Sequence, residues 1–287
     1  MRPDSLKTKI FLDSGDPQET KEFLKLLGFL DGQTTNPSLF AKSPEVKQRI
    51  EGGDKFSKEE IYIEYKKIIS NIAELLPGKS VSIEVYATEE TPVSEILDQA
   101  REMNIWVKNA HIKLPLTISG LEAGEILVGE GVNINMTLIF NQAQAGAVYS
   151  ATRGSEKGQV FLSPFVGRLD DIGVDGINYI KNVLDLYKNG DGHVEVLAAS
   201  IRSYEHFLAC LKLQADIVTV PGKILYQWSE DNFFIPDEKW EYRADSLEKK
   251  SLEDIDLDRD WREFDIRDEL TKKGIEKFVI DWNNLLK

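Results

Sequence analysis

At 287 residues, 41% of them hydrophobic, the chain can bury the core of one domain without needing a second. Its 49 acidic residues outnumber 35 basic ones for a net charge of -14, which argues against nucleic acid and anionic membrane surfaces as main partners, since both are bound by neutralising negative charge. A charged fraction of 29%, a mean hydropathy of -0.31 and the lack of any run near the ~18 apolar residues of a membrane span exclude general disorder and a spanning helix. The opening residues, MRPDSLKTKIF, hold no apolar region ahead of a small-residue cleavage site, so the expected location is cytoplasmic.

Along the chain, short apolar runs recur, each followed by a longer segment with helical spacing. They are Ile10 to Asp13, a weak one at Gly32 to Thr35, Val81 to Tyr86, Ile105 to Leu114, Val132 to Leu138, Val160 to Phe165, Val194 to Ala199, and Ile217 to Val220. Eight β-then-α units in series predict a (β/α)8 TIM barrel of the α/β class. The helix starts agree. Asp16-Pro17-Gln18-Glu19 supplies a capping side chain, a proline at the first helical position and a glutamate at the third, and Thr91-Pro92 repeats the cap-then-proline order.

The alternation stops after Val220. A strongly acidic segment from Tyr226 to Asp268 carries Trp228, Phe233, Phe234, Trp240, Tyr242 and Trp261, too many aromatic rings to leave in water. It is expected to pack on the barrel or on a partner subunit. Helical spacing returns from Glu269 to Leu286. The predicted organisation is therefore a barrel over 1–225, an insertion over 226–268 and a C-terminal helix of the same domain over 269–287. Ala151 to Gly158, just before the sixth run, reads as a surface loop or as a lid.

The single cysteine, Cys210, lies among apolar neighbours in HFLACLKL, where burial on a helix is expected and no disulfide framework is possible within the chain. His111, His193 and His206 form no i,i+4 pair and no cysteine cluster lies near them, so no metal site is expected.

In such a barrel the reacting groups come from the carboxyl ends of the strands and the loops that follow. Those positions hold Asp13, then Thr34, Thr35 and Asn36, then Glu84, Lys113, Asn135 and Thr137, then Ser163, Phe165 and Arg168, and last Ser200 and Arg202. The lone lysine of HIKLPL stands out. Either it caps a strand and reaches to solvent, or it is buried among apolar neighbours with few paired anions and attacks a carbonyl as the free amine. His111, two residues earlier, shares its side of the strand and reads as a packed, hydrogen-bonded histidine. Asp13 and Glu84 are either inward carboxylates satisfied by a nearby lysine or the base and proton shuttle that such chemistry needs. Arg168, Ser200 and Arg202 either salt-bridge at the surface or clamp a phosphate.

Seven stretches carry a resemblance: IFLDSGD, DGQTTNPSLF, VSIEVYA, HIKLPLT, NINMTLIF, LSPFVGRLDD and VLAASIRS, in that order, resemble the successive motifs of the transaldolase family. The last helix, LTKKGIEKFVIDW, is similar to that of the family's compact bacterial members, in which it packs across a neighbouring subunit; a homo-oligomer is thus one expectation. The resemblance implies a class I aldolase mechanism with Lys113 as the imine-forming lysine and Asp13 as the acid/base. It implies that Glu84 and Thr137 hold the catalytic water and that Asn36, Asn135 and Ser163, with Thr34 and Phe165, contact the sugar. Phosphate recognition falls on Arg168, Ser200 and Arg202. The implied substrates are sugar phosphates of the pentose phosphate pathway, and no cofactor is implied.

Fructose-6-phosphate aldolases resemble transaldolases in every one of these motifs. Glu84 in place of glutamine and Phe165 in place of tyrosine are transaldolase-like. Three readings are carried forward: a transferase, a reversible aldolase, and a non-catalytic sugar-phosphate-binding protein that uses the acidic segment for a partner.

Overall fold

The computed structural model describes residues 2–287. Eight parallel strands close a barrel in chain order: β1 (Lys9–Asp13), β2 (Gly32–Thr34), β3 (Ser80–Glu84), β4 (Ala110–Pro115), β5 (Ile134–Ile139), β6 (Val160–Pro164), β7 (Val194–Ala198) and β8 (Ile217–Val220). Around them lie α1 (Pro17–Leu27), α2 (Pro37–Lys42), α3 (Pro44–Glu51), α4 (Lys58–Leu75), α5 (Val93–Asn104), α6 (Ile118–Gly129), α7 (Gln142–Ala151), α8 (Val166–Asp170), α9 (Gly176–Tyr187), α10 (Tyr204–Leu213), α11 (Gly222–Glu230) and α12 (Glu269–Asn283). The chain is a single (β/α)8 TIM barrel. No helix among the described residues is long and apolar enough to cross a membrane.

Every residue of β4 through β8 is buried, as expected of strands covered on both faces. Inside the barrel Phe11 meets Phe161 edge-on at 6.0 Å, and Gly32 makes room for it: a Cβ there would stand 2.5 Å from the Phe11 ring. This explains why the second run looked weak, since its first residue has no side chain to contribute.

Capping follows local chemistry. Asp16 accepts from Gln18 N at 2.8 Å and Pro17 opens α1, but Glu19 bonds Ser14 Oγ instead of returning to the cap. Ser57 with Glu60 and Asn141 with Gln144 form reciprocal capping boxes on α4 and α7. Thr91 does not cap α5. Its hydroxyl accepts from Thr88 N at 2.8 Å, which turns the chain early, and Pro92 occupies the cap position. The fourth strand begins at Ala110, not Ile105: Ile105 ends α5 at 80% exposure, and Trp106 packs edge-on against Tyr62 and Tyr65 outside the barrel wall.

The predicted boundary at residue 225 falls inside α11, because Trp228 is fully buried against Phe207 and Phe29. From Asp231 the chain becomes a strap running backwards around the outer helices. Lys212 of α10 donates to Glu238 O at 3.0 Å; Asn178 and Asn182 of α9 bond Lys250 N and O at 2.8 Å each. Gln142 of α7 bonds Ser251 O at 2.9 Å and Glu253 N at 3.0 Å, and Trp261 Nε1 donates to Glu125 of α6 at 3.0 Å. Helix side chains thus satisfy its backbone at these points, and at Glu248 it forms an isolated parallel bridge with Val174, Glu248 N donating to Gly173 O at 2.7 Å and Glu248 O accepting from Asp175 N at 2.9 Å. The strap delivers α12 to the barrel's own mouth, where it packs on α2 and on the end of β5.

The stretch Ala151 to Gly158 joins α7 to β6, so it lies at the amino-terminal face. Gly158 O bonds His111 Nε2 at 2.9 Å, and Arg153 reaches the strap at Leu257 O at 2.5 Å. It is a surface loop on the face opposite the mouth, which removes the lid reading.

Candidate active site at the barrel mouth

The carboxyl ends of the strands bring the inward side chains into register: Asp13 beside Thr34, Glu84 beside Lys113 beside Asn135, and Thr137 beside Ser163. Alternation along each strand turns these residues inward, and parallel pairing sets Glu84, Lys113 and Asn135 side by side, with Thr137 and Ser163 paired one inward step further along.

Lys113 is 4% exposed, and its Nζ lies 3.0 Å from Glu84 Oε2. The expectation of few paired anions around this lysine is corrected here, since a buried ammonium needs a counter-charge and Glu84 supplies it. The approach is off the hydrogen-bonding direction, so Glu84 Oε2 has a charge partner but no aligned donor. Burial raises the Glu84 carboxyl above the ordinary carboxylate range, opposed by the Lys113 charge. Tyr65 fixes the end of β3 by accepting from Glu84 N at 3.1 Å and lying 3.0 Å from Thr35 Oγ1.

Asp13, half-buried, accepts from Thr34 Oγ1 at 2.7 Å, and Thr34 lies 2.5 Å from Thr219 Oγ1 on β8. Burial raises its pKa, offset by the Lys113 charge, the Thr34 hydrogen bond and the Lys42 charge. Both carboxyls therefore stand closer to neutral pH than free ones, within the field of one lysine.

Asn135 ties the far wall together, donating to Ser82 Oγ at 3.1 Å and accepting from Ser163 Oγ at 2.6 Å. Each amide atom keeps a further bonding site. Thr137 Oγ1 is buried and has no partner among the described residues. Asn36 caps α2 by accepting from Leu39 N at 2.9 Å, which commits its oxygen and leaves its amide N–H groups.

The arginines differ. Arg168 has no hydrogen bond or ion pair among the described residues, and its guanidinium lies between two phenyl rings, 5.1 Å from Phe165 and 5.6 Å from Phe278. Burial lowers its pKa, and the Glu84 charge opposes this. Arg202 is exposed and paired with Asp171, the surface salt bridge weighed from sequence, though close enough to Arg168 to repel it. Ser200, at φ 57°, holds the left-handed turn after β7 and accepts from Gly167 N at 3.0 Å through its carbonyl.

Asp13, Glu84, Lys113 and Arg168 thus form one coupled group, with Ser200 and Arg202 on its rim. Phe278, 5.9 Å from Lys113 Nζ, was absent from the sequence reading; it belongs to α12, remote in the chain from every strand. Thr219 was also missed, although alternation in IVTV marks it as inward-facing. His111 sits below this layer, stacked on Phe161 at 4.1 Å, its Nδ1 2.8 Å from Ser80 Oγ; burial holds its pKa down to about 4.

Residues 10–287 match the family described as Transaldolase/Fructose-6-phosphate aldolase. A probable transaldolase of Dehalococcoides mccartyi is 41% identical over 221 residues, covering 76% of this chain and 89% of the relative. Probable transaldolases of Herpetosiphon aurantiacus and Caldicellulosiruptor saccharolyticus are 32% identical over 277 residues and 37% over 280; they cover 96% and 97% of this chain, and 96% and 99% of themselves. A barrel whose mouth gathers a lysine, two carboxyls and a free arginine, and whose sequence matches along nearly its whole length, belongs to the transaldolase/fructose-6-phosphate aldolase family.

Proposed function

We propose that the protein is a transaldolase that transfers a three-carbon dihydroxyacetone unit between sugar phosphates through an imine on Lys113. The observation that carries this reading is the buried Lys113 ammonium 3.0 Å from a Glu84 carboxylate whose oxygen has no aligned donor. Lys113 must lose a proton before it can attack, and Glu84, made more basic by burial, is in place to receive it.

The amine then adds to the ketone of sedoheptulose 7-phosphate or fructose 6-phosphate, and Glu84 returns the proton to the departing water. Asp13 takes the C4 hydroxyl proton, the C3–C4 bond breaks, and its electron pair moves into the protonated imine. The enamine stays bound until its C3 attacks the aldehyde of glyceraldehyde 3-phosphate or erythrose 4-phosphate, with Asp13 returning the proton to the new alkoxide. Water held by Glu84 and the free Thr137 hydroxyl hydrolyses the second imine. The protonated imine is itself the electron sink, so the chemistry asks for no metal or organic cofactor. Asn36, Asn135 and Ser163 offer bonds to the sugar hydroxyls beside Thr34. The unpaired Arg168, with Ser200 and Arg202, supports a phosphate site.

Phe165 favours transfer over free aldolase activity, because a phenyl ring has no hydroxyl to protonate the enamine. Borohydride reduction with fructose 6-phosphate, followed by peptide mass analysis, is expected to leave an adduct on Lys113, and a coupled assay is expected to show turnover only with erythrose 4-phosphate. Turnover without acceptor would reassign the protein as an aldolase, and the absence of an adduct would leave a binding protein.

A further inference from the structure

We propose that Phe278 and Gly274, on the last helix, are positioning residues that hold the Arg168 guanidinium in place for the substrate phosphate; this rests on the sugar-phosphate reading above. Arg168 is a cation removed from much of its water with no anion or acceptor bonded to it, an arrangement that costs free energy unless something else stabilises it. Two ring faces do so, Phe165 from the end of β6 and Phe278 from α12. They leave the guanidinium N–H edge uncommitted.

Gly274 lies one helical turn before Phe278 on the same face. A Cβ there would stand 2.6 Å from Arg168 Nη1 and 2.6 Å from Leu138 Cδ2, so any larger residue would push the guanidinium from its present place under the helix. The contact is fixed from both sides. Leu138 takes the left-handed backbone, φ 64°, at the irregularity that ends β5, and its carbonyl accepts from Thr271 Oγ1 of α12 at 2.8 Å. Gln144 of α7 donates to the same hydroxyl at 2.9 Å, tying the helix to the barrel wall one turn before Gly274.

The need for a positioner lies in the charges. Glu84 attracts Arg168, and Arg202 repels it. Without the roof, these opposed charges would leave the guanidinium unfixed and the phosphate position vacant. The last helix thereby contributes to substrate recognition through Arg168 and needs no contact of its own with substrate.

The test compares a phosphorylated with an unphosphorylated ligand. Calorimetry gives the dissociation constant of fructose 6-phosphate, and borohydride trapping on Lys113 with dihydroxyacetone reports imine formation without a phosphate. In Phe278→Leu, which keeps apolar bulk but loses the ring face, the fructose 6-phosphate dissociation constant is expected to rise about fivefold to tenfold, well beyond any change in dihydroxyacetone trapping. Phe278→Tyr should restore it, and Gly274→Ala, by displacing the guanidinium, should raise it by about fivefold to tenfold as well. Unchanged affinity in Phe278→Leu, or a parallel fall in trapping, would overturn the proposal, the second by assigning Phe278 a general structural role. If wild-type protein traps neither ketone, the imine reading fails, while the calorimetric comparison still decides the role of the helix.

Discussion

The barrel interior holds a lysine–glutamate pair near each end. At the amino-terminal end Lys9 Nζ donates to both oxygens of Glu195 at 2.9 Å, and the lysine keeps 42% of its side chain in solvent. At the mouth, Lys113 and Glu84 are 4% and 2% exposed, meet at 3.0 Å off the hydrogen-bonding direction, and lie among Asp13, a free Thr137 hydroxyl and an unpaired Arg168. Chemically the pairs are the same. The first is satisfied and hydrated, so its protons have nowhere useful to go. The second has spare donors and acceptors in a buried site, where moving one proton changes the charge that every neighbour feels.

The comparison can be broken at several points. Lys113→Met should abolish the borohydride adduct and lower turnover by roughly 10⁴- to 10⁶-fold, as for loss of a nucleophile. Asp13→Asn should still form the adduct but lose about 10²- to 10⁴-fold in kcat, because only bond cleavage needs the base; single-turnover trapping beside steady-state kinetics separates the two steps.

The lower half of the barrel should respond through stability alone. His111 has a folded pKa of about 4 against an ordinary 6.5, so the unfolded chain binds its proton first as pH falls. Stability from this group is complete above about pH 6.5 and is lost towards pH 4, by about 3 kcal/mol in all. Chemical denaturation across that range should show a steeper pH dependence for wild type than for His111→Gln. Lys9→Met strands the buried Glu195 carboxylate and should lower the unfolding free energy from chemical denaturation by roughly 2 kcal/mol with kcat unchanged. A large loss of activity in Lys9→Met would show that the two pairs are coupled after all.

The strap makes a second contrast with the barrel. Strand after strand of apolar residues announced the barrel, because burial on both faces leaves a run that composition alone reveals. Even there, the apolar Ile105, Trp106 and Val107 extended the fourth run too early, since apolar letters do not distinguish a strand from a loop packed outside the wall. The strap has one 3-10 turn, at Trp261–Glu263, and no period to read. Its path is set by individual bonds from Gln142, Asn178 and Asn182, each more than 60 residues away in sequence. Thr91 misled for a related reason: a hydroxyl before a proline serves a turn as readily as a helix cap.

Chain alternation and strand direction by themselves determined that Asp13, Glu84, Lys113, Asn135, Thr137 and Ser163 face inward at the carboxyl ends, because a period of two and a parallel sheet leave no other face or end for them. Only the tertiary structure decided what those side chains meet: that Glu84 neutralises Lys113, that Asn36 is spent partly on a helix cap, that Arg202 pairs with Asp171 while Arg168 stays free. The roof over Arg168 was the least legible part. Phe278 and Gly274 reach it only because a strap of irregular chain carries the final helix back across the mouth, and contacts between such distant segments follow from packing, which no local pattern encodes.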